Sequence, residues 1–444
     1  MANFTVNTAS DPYTGTVDAD VFLINTALGI TVNGSSGDDT ITAGAATTYQ
    51  SGLIGGDGGG DLINLNSRTA TYSSFEVLGN AGSDTINLND ARAFSLRVAG
   101  ASDVDYISIN SGTFSRSTIG GGAADDILTA AQSTFQDTRL QGGAGADTFV
   151  VTAGIGAYLS STVELGGGDD SLAFSGVIAN STFGGGAGRD TITVSAGGLQ
   201  ADGANSILGG AGADQIFIEG TIGTNIGANF GTLRGGGGAD ILRVSGVAAT
   251  TGGLVYGDEG ADAIALVGIA SGAVAVNPGA VNAASGVIVT YSAFSDSTLG
   301  SNQGVGTMDT ISATVASGTV GTGGGAGAYI LQQTAVTFQS IVSGGYADNA
   351  VWNGSGQYLF GTNSGSLATL QSRVAVIDGE LTTAGMAATF NDSAGNSYVF
   401  VQGGSAGTSD DLLVALNGAS GALGANKYSL GFATNNTMKV IFTD

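Results

Sequence analysis

Aspartate is the residue whose spacing in this chain could do chemistry. The pattern Asp-x-apolar-x-apolar or small recurs at Asp20, Asp39, Asp61, Asp84, Asp105, Asp126, Asp147, Asp170, Asp190, Asp214, Asp240, Asp262 and Asp309. Successive gaps are 19, 22, 23, 21, 21, 21, 23, 20, 24, 26, 22 and 47 residues. Most of these aspartates close a Gly-Gly-x-Gly-x-Asp turn or a degraded copy of one, as in "GGAGADTFVV" (142–151) and "GGAGRDTITV" (185–194). Glycine permits positive φ and leaves backbone carbonyls uncovered. Stacked turns therefore present carbonyl oxygens and carboxylates about 5 Å apart along one edge. A donor set of oxygens alone suits a hard cation, and the six to eight flexible ligands of Ca²⁺ better than Mg²⁺. Stacking like charges at that spacing without a counter-ion is unfavourable. A second reading stays open, in which the glycines only make corners and each Asp caps a backbone N–H.

Other chemistries find little support. The 444 residues include 79 Gly, no Cys and no His, with 36 acidic against 11 basic residues and a net charge of −25. Such a charge argues against nucleic acid or an anionic membrane as partner and favours cations. Without His or Cys there is no Ser-His-Asp or Cys-His arrangement and no HExxH site. Carboxylate pairs such as Asp125–Asp126, Asp169–Asp170 and Asp410–Asp411 lie in turns, where solvent or metal is the plainer role. Two Lys and nine scattered Arg offer no basic cluster for a polysaccharide lyase groove. The expectation is that the chain is not an enzyme.

A period of about 22 residues must come from elements that stack. One strand follows each Asp with period-two alternation, placing Ile86, Leu88, Ile192, Val194, Ile216 and Ile218 on one buried face. A second precedes the glycines and often begins with Ser or Thr, as in "SSTVEL" (160–165) and "NSTFGG" (180–185). The fold expected is all-β: a right-handed parallel β-solenoid of two short strands per rung, its thin interior filled by Ile, Leu, Val and Ala. The doubled gap before Asp309 predicts a rung near "SGVIVTYSA" (285–293) that kept its strand and lost its Asp. Beyond residue 320 the rhythm stops. The domains expected are 1–320, the solenoid, and 321–444, a smaller β-rich domain joined through "GTVGTGGGAGA" (318–328) and including "RVAVIDG" as a strand.

The glycine–aspartate turns resemble the haemolysin-type calcium-binding repeats of the RTX family, GGxGxDxUx with U a large apolar residue. The resemblance covers roughly residues 15–315 and implies a parallel β-roll with multiple Ca²⁺ ions between stacked turns. It implies as ligands the carboxylates of Asp39, Asp61, Asp84, Asp126, Asp147, Asp170, Asp190, Asp214, Asp240 and Asp262. It adds backbone carbonyls from Gly142, Gly185, Gly209, Gly235, Gly257 and their equivalents. The family repeats every nine residues and binds metal on both edges. Here one motif occurs per rung, so sites are expected on a single edge. The degraded turns "GASDVD" (100–105), "GGAADD" (121–126) and "GVGTMD" (304–309) are expected to bind weakly or not at all.

The segment 395–421 is similar to C-terminal segments of type I-secreted surface-layer and RTX proteins. That implies an uncleaved export signal, in keeping with an N-terminus that lacks a basic n-region and apolar h-region. No apolar run is long enough for a transmembrane helix. The function expected is that of a secreted Ca²⁺-binding structural protein that folds and self-assembles outside the cell. It would form an S-layer, matrix or filament at the cell surface. Its partners would be copies of itself and a cell-surface polysaccharide, without nucleic acid or membrane insertion. The alternative is a Ca²⁺-stabilised adhesin or virion-surface binding protein; a polysaccharide-acting enzyme is a remote third. The alternating "NFTVNT" at residues 3–8 is expected to pair with a neighbouring subunit's open edge.

Overall fold

A computed structural model describes the chain except at residues 8–11, 26–28, 45–47, 66–70, 153–156, 196–204, 220–230, 246–252, 260–261, 268–273, 278–286, 292–308, 314–327, 334–350, 353–356, 360–369, 385, 392–396, 403–411, 419–420, 423–427, 434–436 and 443–444. The expected joint at 318–328 therefore falls almost wholly outside the described residues, as does Asp410–Asp411. The chain divides into two compact units, Met1–Asp214 and Gln215–Asp444.

The first unit is a parallel β-solenoid, and the turn from Asp105 to Asp126 shows its logic. Tyr106–Asn110 forms the first strand, with Ile107 and Ile109 buried and alternate residues facing out. The chain bends at Ser111 (φ 58°) and runs through Thr113–Ser115 with Phe114 inward. It bends again at Arg116 (φ 51°) and enters Thr118–Ala123, where Ile119 is buried. A corner at Gly122 (φ 129°) and Ala124 (φ 85°) then delivers Asp126. Each strand hydrogen-bonds in parallel to its counterpart one turn on: Tyr106 opposite Ile127, Thr113 opposite Thr134, Thr118 opposite Arg139.

Two expectations change here. Many turns carry three short strands, or a bent long one such as Arg92–Ser102, because a residue in the left-handed region breaks the second strand. That bend recurs at Ser51, Ser74, Ser95, Arg116, Asp137, Ser160 and Asn180, with φ between 49° and 55°. The interior is also more aromatic than expected. Phe114 and Phe135 stack at 5.4 Å and Tyr49 and Tyr72 at 5.0 Å, because a third strand adds an inward position to each turn. The predicted positions Ile86, Leu88, Ile192, Val194, Ile216 and Ile218 are all buried. Each such side chain contributes about 1.5–3 kcal/mol on burial. Since side chains alternate, a one-residue slip would turn this whole set outward, so the register is strongly specified.

At the start of the unit, Asn3–Val6 pairs in parallel with Val21–Ile24, and Phe4 stacks on Phe22 at 4.6 Å. This strand is thus the first rung of its own solenoid.

In the second unit Gln215–Glu219, Ile241–Ser245, Ala263–Val267, Val287–Tyr291 and Ala328–Gln333 stack in parallel. Val287–Tyr291 is the rung expected to have kept its strand and lost its Asp. Thr437–Phe442 then pairs antiparallel with Ala328–Gln333, and Tyr428–Ala433 antiparallel with Thr437–Phe442. On the other sheet Leu412–Gly418 follows Asp309–Ala313 in parallel, and Ser397–Val401 and Ala387–Asn391 continue it antiparallel. The segment read as a strand at "RVAVIDG" is helical, Leu370–Glu380. Val374, Ile377 and Leu381 recur at helical spacing and pack on Phe390, Tyr398, Phe400 and Leu413.

Candidate metal centre

The corner glycines place every ladder aspartate at the same point of its turn, immediately before the first strand. Asp39, Asp61, Asp84, Asp126, Asp147, Asp170, Asp190, Asp214, Asp240 and Asp262, together with Asp20 and Asp105, are at most 2% exposed. The carboxylates point into the protein and do not line an open edge.

One oxygen of each is spoken for. In the first unit Oδ1 accepts the backbone N–H of the aspartate one turn earlier: Asp20 donates to Asp39 and Asp39 to Asp61, each at 2.7 Å. Asp105 donates to Asp126 and Asp126 to Asp147, each at 2.8 Å, and Asp147 to Asp170 at 2.7 Å. The relation runs on through Asp170 to Asp190 and Asp190 to Asp214. In the second unit Asp240 donates to Asp262 at 3.0 Å. The capping reading of these aspartates therefore accounts for half of each carboxylate.

The other half is unaccounted for. Oδ2 of Asp39, Asp61, Asp84, Asp105, Asp126, Asp147, Asp170, Asp190 and Asp262 is buried without a hydrogen-bond partner. A buried ionised oxygen left unpaired is costly. Burial, opposed by the N–H to Oδ1, pushes Asp39, Asp84, Asp126, Asp147, Asp170 and Asp190 up to about 6 and Asp61, Asp105 and Asp262 up to about 7. The charge of ladder neighbours, where it acts, pushes the same way, as Asp126 does on Asp147.

Asp20, at the end of the ladder, shows the contrast. Its Oδ2 accepts the Thr16 N–H at 2.6 Å and the Thr16 hydroxyl at 2.9 Å, while Ala2 N–H donates to Oδ1. The Thr16 N–H foremost holds this carboxyl below the usual range. Where the protein supplies donors the carboxylate is content; at the nine aspartates named above it supplies none to Oδ2.

At several turns a backbone carbonyl oxygen of the next turn lies beside Oδ2. A Cβ on Gly142 would overlap both Asp147 Oδ2 and the Leu165 carbonyl oxygen of the next turn. Gly185 stands in the same relation to Asp190 Oδ2 and the Gly209 carbonyl, and Gly235 to Asp240 Oδ2 and the Gly257 carbonyl. The glycine five residues before the Asp thus keeps open a slot into which a carboxylate oxygen and a carbonyl oxygen of successive turns converge. Among the described residues no point gathers three acidic side chains. The donors of a slot are one carboxylate and backbone carbonyls, with no nitrogen or sulfur. This fits a hard cation whose charge the carboxylate offsets.

Three details refine the sequence reading. Asp105 and Asp126, in degraded turns, hold the same ladder positions as the rest, because Gly100 and Gly121 keep the slot glycine. The other glycines of the motif serve the corner. In the Asp170 turn the slot position is Leu165, whose side chain is buried. Asp309 leaves the series: Asp309–Ala313 pairs with Val274–Asn277 and Leu412–Gly418 in the second sheet, away from the strands that follow the ladder.

A second ladder was legible only as a frequent Ser or Thr. Ser161 Oγ accepts the Thr138 N–H at 3.2 Å, Ser181 Oγ the Ser161 N–H at 3.1 Å, and Asn205 Oδ1 the Ser181 N–H at 3.3 Å. These groups satisfy the buried backbone just after the left-handed bend.

No family model matches the chain, and no curated protein does. Among solved structures it is similar to a hyperactive, Ca²⁺-dependent, β-helical antifreeze protein from an Antarctic bacterium. Identity is 17%, the TM-score is 0.41, and the match covers 71% of this chain and 85% of that one.

Proposed function

We propose that this chain is an extracellular structural protein whose solenoid is completed by Ca²⁺ along the aspartate ladder. The observation that carries the reading is the row of buried, partnerless Oδ2 atoms, several of which share a glycine slot with a carbonyl oxygen of the next turn. The RTX-like turns supply Asp39 to Asp262 as carboxylate donors and Gly209, Gly257 and their equivalents as carbonyl donors. A bound cation supplies the positive charge that the slots lack; the chain's own part is to fix the oxygens and exclude water.

Calcium then couples to folding. Extracellular Ca²⁺ modules bind at about 10⁻⁴–10⁻³ M. At tenfold excess over Kd each site contributes about 1.4 kcal/mol, and ten sites on the order of 14 kcal/mol. The chain stays loosely ordered where Ca²⁺ is scarce and becomes rigid outside the cell. Export, self-assembly into a sheet or filament, and anchoring to surface polysaccharide complete this reading. Electron microscopy with and without Ca²⁺ tests the assembly: ordered sheets or filaments in Ca²⁺ support it, and monodisperse particles in both conditions refute it.

A further inference from the structure

The arginines of this acidic chain are not evenly spread. Of nine, four fall within residues 92–139: Arg92, Arg97, Arg116 and Arg139. Stacking aligns two of them, since Arg97 stands opposite Thr118 and Thr118 opposite Arg139 on the outer face of the second sheet. The Arg116 guanidinium lies over the ring of Phe94 at 5.3 Å, and Phe94 is 43% exposed. Arg139 is paired with Glu164, whereas Arg97 stands opposite Glu76 and forms no ion pair among the described residues.

Beside Arg97 the same face is hollow. A cavity of about 280 Å³ is lined by Arg97, Ala99, Thr118, Gly120 and Gln141. Gly120 makes the hollow, and its backbone does not need glycine. Its φ is ordinary, and a Cβ there would meet nothing closer than 3.6 Å, the Gln141 side chain and carbonyl. Gly121 and Gly122 are different, because a Cβ on either would strike Asp126 or Ala101. The space above Gly120 is therefore a property of the surface and is not forced by the turn.

The floor is flat and apolar, made of the Ala99 methyl and the Gly120 backbone. Its rim carries a hydroxyl, an amide and a guanidinium. A pyranose ring presents the complementary set: an apolar C–H face, a rim of hydroxyls and, in acidic sugars, a carboxylate or sulfate for the arginine. The net charge of −25 repels a densely charged polymer such as nucleic acid and tolerates a sparsely charged one.

We propose that this groove binds an anionic sugar residue of a polysaccharide, with Arg97 on its acidic group and the ring seated over Gly120. The proposal rests on the anchoring part of the function above.

Binding of labelled methyl glucuronide, glucose 6-sulfate, neutral dextran and single-stranded DNA to the full chain in saturating Ca²⁺ tests it. The glucuronide or the glucose sulfate should bind, and which of the two binds more tightly assigns carboxylate or sulfate. Arg97→Ala should weaken that binding at least tenfold, and Gly120→Leu should abolish it with an unchanged melting point. Gly184→Leu, at the same strand position in a turn without these arginines, should bind like the parent. If Gly120→Leu lowers the melting point, Gly120→Ala and Arg97→Gln carry the comparison. Equal binding of neutral dextran, or a preference for DNA, overturns the proposal. Anionic saccharide that binds equally to the parent and the variants overturns this site and leaves anchoring standing. No binding to either anionic saccharide overturns both.

Discussion

Asp126 donates its backbone N–H to Oδ1 of Asp147 at 2.8 Å, while Oδ2 of the same Asp147 is buried with no hydrogen-bond partner. One carboxylate thus does two jobs. It ties adjacent turns together through one oxygen and directs uncompensated negative charge into a slot through the other. Repetition of that relation lines the interior edge of the solenoid with oxygens of a kind that suits a hard cation.

Substituting Asp147 by Asn separates the two jobs. The amide oxygen still accepts the Asp126 N–H, while the charge is removed. In chelator the variant should melt at the same temperature as the parent or higher. In Ca²⁺ at tenfold excess over Kd it should be less stable by about 1.4 kcal/mol, the contribution of one site. Paired melting curves check the reversal of sign.

The slot glycines predict a sharp positional contrast. A Cβ at Gly142 would overlap Asp147 Oδ2 and the Leu165 carbonyl, whereas a Cβ at Gly167 would meet nothing within 4 Å. Gly142→Ala should therefore cost about 1–3 kcal/mol, as overpacking does. Gly167→Ala should stay within about 0.5 kcal/mol of the parent. Urea denaturation in Ca²⁺ measures both.

Stability should also turn on pH in a direction set by the ladder. The carboxyls of Asp126, Asp147 and Asp190 lie at about 6 in the folded chain, above the ordinary value of 3.8. Between those values the folded state binds more protons than the unfolded one, so metal-free stability falls as pH rises from about 4 to about 6. Asp61, Asp105 and Asp262 extend the fall to about 7. Calcium requires the deprotonated form, so its affinity should rise over the same window. Melting temperature against pH in chelator and in Ca²⁺ should give opposite slopes.

The serine ladder should be purely structural. Ser161→Ala leaves the Thr138 N–H without its acceptor and should cost about 1–3 kcal/mol. The loss should be the same in chelator and in Ca²⁺ by chemical denaturation.

Much of this was legible in the residues. Ile86, Leu88, Ile192 and Val194 alternate, and alternation with a constant period has one stacking solution. The ladder positions followed from Asp spacing alone. The inward aim of the carboxylates was not legible, because a Gly-rich turn can carry its Asp on either side. The third strand escaped because its bends use Ser, Asp, Asn and Arg at positive φ, where glycine would have signalled them. Leu370, Val374, Ile377 and Leu381 carried a helical period that the neighbouring strand-like runs concealed. Asp309 fitted the local pattern and still left the ladder, since pairing in the second sheet is a long-range choice.

Thermal melting of the full chain, followed by circular dichroism at pH 7.5, tests the central claim most directly when run in excess Ca²⁺ and in excess chelator. The ladder predicts a β signal that melts at markedly higher temperature in Ca²⁺, with a midpoint that climbs as free Ca²⁺ is raised. Superimposable β signals and melting curves in the two conditions would contradict it.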